Sequence, residues 1–151
     1  MEIIYTDFYK DYIQLNDSFT LIMNRRINDI KEEYKTTKSN EDIIKEYFVE
    51  IFSWSVLSYK TLQDIYEIIK DYCNTILDPC CGNSFHTYLF ETYTPLKCLS
   101  YDIKDEKNSW TTITETNALS VLQRIPNHNN ICLLLSWIDN EKIGMTLLNN
   151  Y

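Results

Sequence analysis

Two aspartates and one glycine carry the most chemistry in this chain. Asp78 closes a short apolar run, Thr75-Ile76-Leu77, and is followed by a turn of small residues, Pro79-Cys80-Cys81-Gly82-Asn83-Ser84. Gly82 is one of two glycines in 151 residues. After the turn, Phe85, Tyr88, Leu89 and Phe90 recur at helical spacing. Strand, turn and helix in that order open a nucleotide-binding βαβ unit, where backbone N–H groups at a helix start face the ligand. Gly82 is expected to take positive φ or to let the ligand approach its backbone. Asp102 ends the next apolar run, roughly 20 residues beyond the turn, where an acid can bond both hydroxyls of a ribose. A free ribose diol suits S-adenosylmethionine or NAD. A triphosphate is not suited, because there is no Gly-rich loop ending in Gly-Lys-Ser or Gly-Lys-Thr.

Each of these residues also has a plainer reading. Asp78 to Ser84 could be an ordinary strand-to-helix turn, and Asp102 a solvated acid among Lys104, Asp105, Glu106 and Lys107. Asn117 could read an adenine edge or cap a helix. Ser136-Trp137-Ile138-Asp139 follows the most apolar run of the chain. It would sit at the carboxyl end of a strand, where open α/β sheets bind ligands. There Trp137 could stack on a substrate and Asp139 could accept a proton, or Trp137 could be buried and Asp139 a helix cap.

The elements that position these residues follow from periodicity. Helices are expected over residues 3 to 15 and 19 to 34, around Ile43 to Ile51, and along Leu62, Ile65, Ile68, Ile69 and Tyr72 as a buried stripe. Ser39 or Asn40 would cap the second-last of these, and Thr61 to Asp64 resembles a capping box. From residue 75 the pattern alternates. Strands are expected at Thr75 to Leu77, Lys97 to Tyr101, Trp110 to Thr114 and Ile131 to Trp137. Helices are expected at Ser84 to Tyr93, Ala118 to Ile125 and about Asp139 to Tyr151. This order implies an α/β fold with a mostly parallel sheet and helices on both faces. Residues 1 to 52 are expected to form a helical N-terminal segment and 53 to 151 the α/β domain.

Composition narrows the partners. A net charge of −8 argues against a nucleic-acid surface. No apolar run approaches the roughly 18 residues of a membrane span, and no signal peptide is visible. Five cysteines, several in strand-like runs, read as reduced and cytoplasmic. Without a Cys-x-x-Cys or His-x-x-x-His pair, no metal site is expected.

Several short segments, in order and spacing, resemble a poorly characterised branch of the Rossmann-like S-adenosylmethionine-dependent methyltransferase superfamily. They are Phe52-Ser53-Trp54-Ser55, Asp78 to His86, Tyr101-Asp102, Trp110-Thr111, Pro126 to Asn129, Ser136 to Asp139 and Leu147 to Tyr151. The resemblance covers about two thirds of the chain. It implies a sheet in the order 3-2-1-4 and a cofactor turn through Asp78, Cys80, Gly82 and Ser84. It also implies ribose binding by Asp102, adenine contact by Asn117, and an acceptor site at Ser136, Trp137 and Asp139, with Trp137 and Asp139 as catalytic candidates. Cys80 and Ser84 replace two of the three glycines in the branch's turn, and Ile138-Asp139 stands where the branch has Pro-Pro. A binding or scaffold protein without cofactor is therefore the alternative. The last strand would lie at an open edge, where covering by the N-terminal helices or pairing into a homodimer is expected.

Overall fold

The computed structural model describes residues 31, 32, 35, 37–39, 42, 43, 46, 49, 52–55, 57, 59–104, 109–125, 129–136, 138 and 140–151. The helices expected before residue 31 lie outside them. The chain divides into two compact units, Met1–Thr61 and Leu62–Tyr151.

In the first unit, residues 42, 43, 46 and 49 are helical. Ser39 caps that helix: its Oγ accepts from the Asp42 amide at 3.2 Å and donates to the Asp42 carboxylate at 2.7 Å. This satisfies one of the orphan donors every helix start exposes.

The second unit holds the sheet, and the boundary between the units falls within the helix that precedes it. Helix α1 (Tyr59–Ile69) leads into β1 (Thr75–Asp78), α2 (Phe85–Tyr93), β2 (Lys97–Asp102), β3 (Thr114–Glu115), α3 (Ala118–Arg124), β4 (Ile131–Leu133) and α4 (Glu141–Asn150). All pairings are parallel and the strand order is β3-β2-β1-β4. The expected α/β class and the order 3-2-1-4 are both present. Such a sheet needs cover on both faces, and side chains alternate to provide it. Leu77 and Leu133 are register partners on one face, and they pack with Val121 and Leu122 of α3 and Leu147 of α4. Asp78 and Ser100 are partners on the other face, where the Ser100 hydroxyl donates to Thr87 of α2 at 2.9 Å. Phe85, Leu89 and Phe90 of α2 are buried, each contributing about 1.5–3 kcal/mol by leaving water.

β4 is three residues, Ile131–Leu133, where a strand from Ile131 to Trp137 was expected, and three further expectations fail in detail. The run from Trp110 to Ile113 is not strand, because its backbone donors go elsewhere. The Trp110 amide donates to the Asn83 carbonyl at 2.8 Å and the Thr111 amide to Ser84 Oγ at 2.8 Å. Ile113 is buried between more exposed neighbours, which mimics strand alternation. Pairing with β2 begins only at Thr114. The capping box at Thr61 does not form, since α1 already runs from Tyr59 and Thr61 is its third residue. Ile68 and Tyr72 are not in the buried stripe, being 70% and 78% exposed. At 3.6 residues per turn, Ile68 sits about 120° around α1 from the buried Leu62, and Tyr72 lies past the helix end.

Candidate functional site

The carboxyl ends of the parallel strands bring the turn after β1 beside the end of β2. Gly82 has φ 55 and Ser84 φ 61, so the turn uses the left-handed region twice. Glycine takes that conformation freely, and the positive φ expected of Gly82 is present. Ser84 adopts it as a non-glycine residue, a costlier choice, and its hydroxyl makes up part of the difference. Ser84 Oγ accepts from the Thr111 amide and lies 2.6 Å from the Asn83 carbonyl, to which it donates. The Ser84 carbonyl in turn accepts from Thr87 Oγ1 at 2.9 Å. Thr87, Ser100 and Thr111 continue this hydroxyl network beneath the turn. Trp110 packs beside it, its ring centroid 5.0 Å from that of Phe85 and 5.3 Å from that of Tyr88. From its alternation the sequence offered Trp110-Thr111 as the start of a strand.

Asp102 reaches across to the turn. Its Oδ2 accepts from the Gly82 amide at 2.8 Å and its Oδ1 from the Ile103 amide at 2.7 Å. Each carboxylate oxygen keeps one further lone pair for a ligand. Asp78 is 2% exposed, and its Oδ1 accepts from the Cys80 amide at 3.2 Å. Burial, with a smaller push from the Asp102 charge, raises its carboxyl to about 7 against the pull of the Cys80 amide. The other Asp78 oxygen has no hydrogen-bond partner among the described residues.

The amides of Cys80, Cys81, Gly82, Ser84 and Phe85 all donate within the chain. Their acceptors are Asp78, the Tyr101 carbonyl, Asp102, the Cys81 carbonyl and Asn83 Oδ1. The turn thus presents acceptors rather than free donors. Burial first, and the acids second, push the Cys80 thiol up to about 11 and the Cys81 thiol further. Both are protonated at neutral pH and are poor nucleophiles.

Asn117 caps α3, its side-chain carbonyl accepting from the Leu119 amide at 2.9 Å. Ser136 lies just past β4, half-buried, at the same end of the sheet as Asp78 and Asp102. Trp137 and Asp139 lie outside the described residues. Asn140 is the residue that caps α4, accepting from the amides of Lys142 and Ile143. Among the described residues no group of three His, Cys, Asp or Glu side chains is placed to hold a metal ion, and no helix is long and apolar enough to cross a membrane.

No family model, curated protein or solved structure matches the chain.

Proposed function

We propose that the chain is an S-adenosylmethionine-dependent methyltransferase-like protein whose cofactor lies across the turn after β1. The observation that carries this reading is the Gly82–Asp102 hydrogen bond, which joins the glycine of the turn to the acid at the end of β2. Asp102 holds the ribose hydroxyls through its remaining lone pairs. Asp78 and Gly82, with Cys80 and Ser84, form the floor of the turn, and Asn117 flanks the adenine. The acceptor side is Ser136 with Trp137 and Asp139.

The donor set favours S-adenosylmethionine over NAD. Two carboxyl groups with lone pairs to spare suit a ligand rich in hydroxyl and ammonium donors. A pyrophosphate would need free amides, and five of the turn's amides are already engaged. The sulfonium supplies an activated methyl carbon, so the protein's part is to position the acceptor and stabilise charge.

A second reading has its own observation. Ser84 takes a left-handed conformation and ties its hydroxyl to Thr111, closing the turn on itself as a cofactor-free binding or scaffold protein would. The two readings separate by thermal shift and calorimetry with S-adenosylmethionine, S-adenosylhomocysteine and NAD. A ligand that binds only the native state raises the melting temperature. The methyltransferase reading expects the first two to do so and NAD not to; the scaffold reading expects none.

The cytoplasm is the proposed location, with no nucleic acid among the partners. A homodimer through the outer side of β4, where the Tyr151 hydroxyl donates to the Ile131 carbonyl, accompanies either reading. Light scattering giving a monomer at micromolar concentration would remove the dimer.

A further inference from the structure

Away from Asp102, at the β4 end of the sheet, lies a cavity of about 330 Å³ lined by Ile69, Tyr72, Cys73, Cys132, Leu148 and Tyr151, among others. Cys73 stands where the chain leaves α1 for β1; its amide donates to the Ile69 carbonyl at 3.0 Å. Cys132 is on β4, opposite Ile76 of β1. Burial first, and the nearby Cys132 thiol second, hold the Cys73 thiol above its ordinary range, and both cysteines line the same cavity. Cys73 is 7% exposed, while Cys132 is half-buried and lines the cavity. Both are free thiols.

We propose that Cys73 and Cys132 are an oxidisable dithiol, a modification site that closes to an intramolecular disulfide with a small disulfide oxidant. Cys132, the more accessible sulfur, loses its proton and attacks one sulfur of oxidised glutathione. The S–S bond of the oxidant breaks and one glutathione thiolate leaves. Cys73 then loses its proton and attacks Cys132 in the mixed disulfide, releasing the second glutathione thiolate. The two protons end on the two released thiols, so the protein loses two electrons and two hydrogens to the oxidant. Their shared place on the cavity wall is what allows the second step, since bridged cysteines must approach closely. Burial holds the Cys73 thiol above its ordinary range, so closure quickens as pH rises. Cys80, Cys81 and Cys98 are poorer competitors, because burial and nearby acids keep their thiols strongly protonated.

The bridge would pin β4 to the chain entering β1. By constraining the unfolded chain it raises the melting temperature.

The test is to hold the full chain with oxidised glutathione at mildly alkaline pH, quench in acid, alkylate under denaturing conditions and map the peptides without reductant. The expected product is one peptide pair joined through Cys73 and Cys132 and separated by dithiothreitol, with a melting temperature several degrees above the reduced protein. A variant with Cys80, Cys81 and Cys98 replaced by serine should lose the same two hydrogens on oxidation. The proposal is overturned if Cys73 and Cys132 are both recovered alkylated. It is equally overturned if either is bridged to another cysteine, or if glutathione stays on Cys132 without closure.

Discussion

The Gly82 amide donates to Asp102 Oδ2 at 2.8 Å, which ties the turn after β1 to the end of β2. A second amide, that of Ile103, bonds the other oxygen at 2.7 Å. Removing the carboxylate leaves both donors to water. Asp102→Ala should therefore lose ~1–2 kcal/mol of stability even without ligand, near the lower part of the range for bonds to a charged acceptor because the site is only half-buried. Urea unfolding checks this, and an unchanged midpoint would show that the bond holds nothing together.

Asp78 makes stability depend on pH. Its folded carboxyl titrates at about 7, above its ordinary value of 3.8. The folded state therefore binds more protons than the unfolded state between those values. Stability is fullest below about 4, falls as pH rises to about 7 and is then level for this group. Asp78→Asn keeps an oxygen for the Cys80 amide and removes the charge. The variant should match wild type near pH 4 and exceed it by ~4 kcal/mol at pH ~8, each pKa unit between folded and unfolded states being worth about 1.4 kcal/mol. Melting curves across this pH range test it; parallel curves for both proteins would contradict it.

The two left-handed residues of the turn should respond differently to substitution. A Cβ at Gly82 would meet no atom within 4 Å, so Gly82→Ala carries only the backbone penalty at φ 55, about 1–2 kcal/mol. At Ser84, which is fully buried, alanine keeps the unfavourable conformation and orphans the Thr111 amide. Glycine orphans that amide but relaxes the backbone. Ser84→Ala should therefore be less stable than Ser84→Gly by about 1 kcal/mol. Equal midpoints in denaturant would show that Ser84 bears no backbone cost.

The sheet was legible because parallel strands leave continuous apolar runs, as in Ile131 to Leu133, and because the runs of β1 and β2 each end at an acid. Asp78 and Asp102 could be placed at strand ends for the same reason. What escaped the sequence was tertiary. Nothing local to Trp110 and Thr111 says that their amides bond Asn83 and Ser84 rather than β2. The Ser84–Thr87–Ser100–Thr111 network joins residues far apart in the chain, so no periodicity signals it. Asn117 was readable as either an adenine contact or a cap; its Oδ1 accepts from the Leu119 amide as a cap does, and its side-chain NH2 is what the adenine reading uses.

Isothermal titration of wild type and Asp102→Ala with S-adenosylhomocysteine tests the central claim most directly. The expected result is saturable binding by the wild type and a loss of ~1.5–3 kcal/mol in the variant, the range for hydrogen bonds to a charged group. Equal affinity in the two proteins, or no heat of binding in the wild type, would contradict it.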